Sequence, residues 1–148
     1  MTKLEYGLEE LGITNDDMYW DDAFTSDFVN DERQSNWKQQ REEYGFDERE
    51  IWSLRDRLAL FIYPRLKFFR DNCAEGSIPM DCTTEQWKKL LNMMLFSFAE
   101  NANDFKNMPS LSDYDNDMER YRGACKKYSR RYKDGMKAFG IWFSALWI

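Results

Sequence analysis

The chain has 148 residues, of which 17% are aromatic and 32% charged, and its net charge is −6. That length predicts one domain over 1–148, long enough to bury roughly two thirds of the surface its unfolded form exposes. The rings (six Trp, eight Tyr, eleven Phe) exclude a disordered chain, and no apolar run approaches the ~20 residues that span a bilayer, so no membrane partner is expected.

The charge is unevenly spread. Residues 1–48 hold four Lys/Arg against fourteen Asp/Glu, a net of −10, whereas residues 119–148 hold eight against two, a net of +6. Such ends can pack on each other, face water, or meet a charged partner. Three Cys without a Cys-x-x-Cys exclude a disulfide framework and a zinc knuckle. The opening Met-Thr-Lys-Leu-Glu-Tyr-Gly has no apolar core of a signal peptide, which predicts a cytoplasmic setting.

In chain order, residues 1–44 form an acidic N-terminal segment. Trp20, Phe24 and Phe28 recur at four-residue steps and predict a short amphipathic helix. A polar helix over 31–44 follows, anchored by Trp37 and stopped by Gly45 as a C′ glycine. Asp47, with Glu50 three residues on, predicts an N-cap with a capping-box-like return. The helix it opens carries Ile51, Leu54, Leu58, Phe61, Ile62, Leu66 and Phe69 in 3- and 4-residue steps, one apolar stripe. Pro64 inside it predicts a kink near Leu60 to Tyr63 and a freed Leu60 carbonyl. After a connector with Gly76 and Pro79, Thr83 and Gln86 form a capping box for a helix with the stripe Trp87, Leu90, Leu91, Met94, Leu95 and Phe98. A polar loop over 101–113 leads to the longest segment. There Met118, Tyr121, Cys125, Tyr128, Tyr132, Gly135, Phe139, Trp142 and Leu146 make a heptad seam. The seam predicts a long helix across a bundle, and it leaves a homodimer open. The apolar C-terminal end, Phe139 to Trp147, is expected to belong to the core.

The chemistry is narrow. With no histidine, the usual general base and the commonest metal ligand are missing. No nucleophile elbow, phosphate loop or dinucleotide fingerprint is present. Asp113-Tyr-Asp115-Asn-Asp117 opens like a calcium loop but has Met118 at the turn glycine and Ala124 at the twelfth position, so helix-capping acids are the better reading. Asp16, Asp17, Asp21 and Asp22 could hold a hard cation, or form the charged side of the Trp20 helix. The basic run over 120–137, including Lys126, Lys127, Arg130 and Arg131, is interleaved with Tyr121, Tyr128 and Tyr132 and could hold phosphates and stack bases. Tyrosines turned inward, with the cations paired to the acidic end, are the alternative. Arg65 can donate to carbonyls freed by Pro64.

One resemblance adds to this reading. Trp52-Ser53-Leu54, Phe61-Ile62-Tyr63-Pro64-Arg65-Leu66-Lys67, Pro79, Trp87, Leu90-Leu91-Asn92-Met93-Met94, Phe98 and the ending Phe139 to Trp147 resemble a family of small uncharacterised tailed-phage proteins. Residues 45–148 would be its core. The resemblance implies a phage origin and supplies no catalytic residues, though it draws attention to Arg65 and Lys67.

The expectation is an all-α, single-domain bundle of four to five helices with a long C-terminal helix. It is expected to be no enzyme and to need no cofactor, acting by binding a host or defence-system protein. A nucleic-acid binder using 120–137 and a carboxylate-based metal or small-ligand site are the alternatives.

Overall fold

The structure is a computed structural model and describes residues 4–15 and 32–148. Among them are five α-helices and no strand: α1 (Arg33–Tyr44), α2 (Glu48–Trp52), α3 (Leu54–Asn72), α4 (Thr84–Ala102) and α5 (Met118–Trp142). This is the expected all-α bundle with a long last helix. The segment of Trp20, Phe24 and Phe28 lies outside the described residues.

The local signals explain where the helices begin. Thr83 accepts from the Gln86 N–H while Gln86 returns to the Thr83 N–H, the full capping box. Asp117 caps α5 through the N–H groups of Glu119 and Arg120, and Asp113 accepts from the Ser110 N–H, so the calcium-like acids serve as caps. Gly45, at φ 82°, closes α1 in the left-handed region that glycine enters without steric cost.

Asp47 is an N-cap, but its carboxylate accepts from Arg49 N–H, and the Arg49 guanidinium grips both of its oxygens at 2.8 and 2.7 Å. Arg49 in turn stacks 4.5 Å from the buried Trp37 ring, and Trp52 meets the same ring edge-on. These contacts fasten α2 to α1. The single helix expected from Asp47 onward is therefore broken: α2 ends at Trp52, Ser53 leaves helical geometry at φ −122°, ψ 36°, and α3 starts afresh.

α4 is central and packs most extensively on α3 and α5. Its buried face is Trp87, Leu91, Met94, Leu95 and Phe98. Trp87 meets Phe69 of α3 and Trp142 of α5 edge-on, at 6.3 and 6.0 Å, and Phe98 meets Phe139 at 4.7 Å. Leu8 and Ile13 of the N-terminal segment are also buried in this core.

α4 and α5 approach closely at Ser97 and Gly135, where the Ser97 hydroxyl donates to the Tyr132 carbonyl at 2.7 Å. Beside this crossing lies a polar layer. Tyr128 and Asn107 donate to the buried Glu100 carboxylate at 2.7 and 2.8 Å, and Tyr132 donates to Asn101 at 3.0 Å. Burial, with the Glu100 hydrogen bond, pushes the Tyr128 phenol well above its ordinary value.

Candidate interaction surface

The stripe expected on α3 is split: Leu66 is buried and Ile62 and Phe69 pack against the core, whereas its first members face outward. Leu54, Leu58, Phe61 and Phe68 are 46%, 49%, 58% and 50% exposed, and Ile51 on α2 is exposed as well. The face that packs on the bundle adds Ala59, Leu60, Tyr63 and Pro64 to Leu66, Ile62 and Phe69. Between 58 and 69, α3 thus carries apolar residues on more than one face, and the described residues leave one of those faces exposed.

The uncovered side borders a groove of about 480 Å³. One wall is α3, through Leu58, Phe61, Ile62 and Phe69. The other is the C-terminal end, through Phe139, Phe143 and Leu146. Among the described residues that line it, Arg65 is the one charged residue. A second, shallower groove of about 440 Å³ lies across Arg65, between Phe68, Cys73 and Ile148.

The chain end is divided between core and surface. Phe139, Trp142 and Leu146 pack against the core, as expected. Phe143 and Trp147 do not: they are 65% and 72% exposed. α5 ends at Trp142, and a single 3₁₀ turn, Phe143–Ala145, carries the chain on to Leu146, which returns to the core while Phe143 and Trp147 on either side of it face outward.

Arg65 is anchored. Its guanidinium donates to both Glu5 oxygens at 2.6 and 3.3 Å, to the Phe61 carbonyl at 2.8 Å, and lies 3.8 Å from the centre of the Phe61 ring. The carbonyl it takes is thus one residue beyond Leu60, the one that Pro64 leaves without a partner, and α3 runs through Pro64 as a continuous helix. Lys67 is half-buried under the same N-terminal segment. It pairs with Asp71 at 3.1 Å and Glu10 at 3.6 Å, and sits 4.7 Å from the Tyr6 ring centre. Burial alone would raise the Asp71 carboxyl, but the Arg70, Lys67 and Tyr6 donors outweigh it and hold the group down at about 2. Both residues therefore fasten residues 5–10 to α3.

Lys126, Lys127, Arg130 and Arg131 are exposed on α5. Among the described residues none of the basic run makes an ion pair; Arg131 covers the Phe96 ring at 3.7 Å and Arg120 the Tyr114 ring at 5.7 Å. The described acids Glu5 and Glu10 go to α3 instead. Tyr128 and Tyr132 turn inward onto the Glu100 layer. Asp16, Asp17, Asp21 and Asp22 lie outside the described residues. Among the described residues no group of His, Cys, Asp or Glu could hold a metal ion, and no helix is long and apolar enough to cross a membrane.

The structure thus brings Arg65 to the groove, places Lys67 behind it, and leaves the α5 cations on a separate face. The groove residues Leu58, Phe61 and Phe143 were read from the sequence as core. The signal that they were surplus was available: Leu60 and Tyr63 offer a second apolar face on the same helix. No protein-family model matches the sequence, and no curated protein or solved structure matches it either.

Proposed function

We propose that this chain is a non-enzymatic phage accessory protein that acts in the host cytoplasm by binding another protein, a host factor or a component of a defence system. The observation that carries the binding reading is the uncovered apolar face of α3 with the groove beside it. Soluble monomers seldom expose a contiguous apolar patch of this kind, and where they do it is commonly an interaction site. The phage origin rests on the sequence resemblance alone. The absence of histidine and of a nucleophile constellation in the sequence favours binding over catalysis.

The test is quantitative affinity capture from bacterial lysate with the wild-type chain and with Leu58→Glu. Leu58 is half-exposed, so the variant should fold. The reading expects discrete proteins retained by the wild type and lost with Leu58→Glu. Identical retention by both forms would overturn it.

A further inference from the structure

α5 carries an exposed surface of its own, cationic where the α3 groove is apolar. We infer that the outward face of α5 binds the phosphate backbone of duplex nucleic acid, independently of what docks on α3.

Arg122, Lys126, Arg130, Lys133 and Lys137 follow one another at steps of four, four, three and four, and all five are exposed. Such steps keep side chains on one side of a helix, here the side away from the buried Gly135 and Ala138. The row is about 22 Å long at 1.5 Å per residue. Residues 119–137 hold eight Lys/Arg against two acids, Glu119 and Asp134, a net of +6. Among the described residues no carboxylate forms an ion pair with any of these cations. Asp113 and Asp117 lie before the row and serve as caps. The chain's net charge of −6 does not decide what happens at this face. At physiological salt exposed charges farther apart than about 8 Å are largely screened, so a ligand on α5 meets chiefly the charges of α5.

Three observations choose among polyanions. Between Met118 and Ile141 no large apolar side chain of α5 is exposed. Protein interfaces have an apolar centre and are depleted in Lys, and a helix lying on a membrane inserts apolar side chains. Nucleic-acid interfaces are instead polar and strongly cationic.

The second observation separates duplex from single strand. Tyr128 and Tyr132, interleaved with the cations in sequence, donate into the Glu100 layer, and Tyr121 is half-buried. The face therefore lacks the rings on which unpaired bases stack. A duplex keeps its bases stacked within itself and presents one phosphate charge per about 1.7 Å of axis. Phosphates held at fixed spacing suit cations fixed along a straight helix.

The third is Gly123, exposed one turn before Lys126 and Lys127, where an added β-carbon would meet nothing within 4 Å. Glycine weakens a helix, and no packing contact requires it at this position. Bare backbone among these cations lets a phosphate strand approach closely.

The test is fluorescence anisotropy of the full chain with three labelled probes, titrated from about 50 to 200 mM salt. They are a duplex DNA of about 20 base pairs, roughly three times the length of the row at 3.4 Å per pair, one of its strands alone, and poly-glutamate. Co-sedimentation with vesicles of equal phosphatidylserine and phosphatidylcholine supplies a fourth. Wild type is expected to prefer the duplex, regardless of its sequence, with a log–log salt slope of about −4, as five contacted phosphates require. Lys126→Glu/Arg130→Glu/Lys133→Glu should bind at least about tenfold more weakly, and Lys126→Gln/Arg130→Gln/Lys133→Gln should flatten the slope by about 2–3. Lys89→Glu, exposed on α4, should bind the duplex as wild type does. Circular dichroism checks each fold, and the Gln variant decides if the reversal variant loses helicity. Tighter binding of poly-glutamate or vesicles, lost in the same variants, overturns the inference in favour of an acidic protein or an anionic membrane. Tighter binding of the single strand overturns the duplex. No duplex binding at the lowest salt, or binding indifferent to the α5 variants, overturns it outright.

Discussion

A β-carbon on Gly135 would lie 2.0 Å from the Ser97 hydroxyl and 2.2 Å from the Met93 carbonyl oxygen. α5 can cross α4 at this distance only because one residue of the pair has no side chain. Gly135→Ala is therefore expected to force the helices apart and to destabilise by about 1–3 kcal/mol or more. Nothing lies within 4 Å of the same position on Gly123 or Gly140. There Ala should stabilise by about 0.5–1 kcal/mol, since both glycines sit inside α5. Urea unfolding of the three variants checks the order; equal effects at all three positions would mean the close crossing is not maintained.

The Glu100 layer should be intolerant of losing a donor. Tyr128→Phe removes one of the two hydrogen bonds that the buried carboxylate receives from side chains. The expected cost is about 1–3 kcal/mol, the range for leaving a buried polar group short of a partner. Thermal unfolding reads it. A variant as stable as wild type would indicate that water reaches Glu100.

The N-terminal segment should detach in acid. Asp71 titrates at about 2 in the folded chain, against 3.8 ordinarily. A carboxyl depressed on folding stabilises above its unfolded value, and that stability is lost as pH falls from about 4 towards 2. The protection of the Leu8 and Ile13 amides, taken relative to the intrinsic exchange rate at each pH, is expected to fall across this window. Asp71→Asn should exchange faster at neutral pH and show less change in acid. Indifference of those amides to both pH and substitution would contradict the pinning role of the Tyr6–Lys67–Asp71 cluster.

Arg65→Ala should act on the same segment more weakly. Its pair with Glu5 is exposed, and such pairs contribute about 0–1 kcal/mol. The expected result is faster proteolysis near Glu5 with a small change in melting temperature. A loss larger than that range would show that the contact with the Phe61 carbonyl stabilises α3 itself.

The sequence disclosed most of the helices, because their signals are local. Thr83/Gln86, Asp117 and Gly45 are caps whose chemistry requires only neighbours in the chain. The break at Ser53 was not legible, since it accompanies Arg49 and Trp52 reaching Trp37, ten or more residues away. The stripe of α3 was only partly legible for a related reason. Periodicity identifies an apolar stripe but not how much of it finds a partner: Leu66, Ile62 and Phe69 pack inward beside Leu60 and Tyr63, and Leu54, Leu58 and Phe61 stay exposed. Gly135 was legible only as a member of the seam, because periodicity does not report the approach of Met93 and Ser97. The Glu100 layer left a faint trace: Ser97, Glu100 and Asn101 at i, i+3 and i+4 interrupt an apolar helix, and Tyr128 and Tyr132 repeat at i and i+4 on another.

The central claim is that the outward face of α3 is a docking surface for a protein. Photo-crosslinking from a benzophenone side chain at position 58, with position 89 on the exposed side of α4 as control, tests it most directly. Run in bacterial cytosol, it is predicted to give discrete protein adducts from position 58 and none from position 89. The same adducts from both positions, or none from position 58 in a folded chain, would contradict the account.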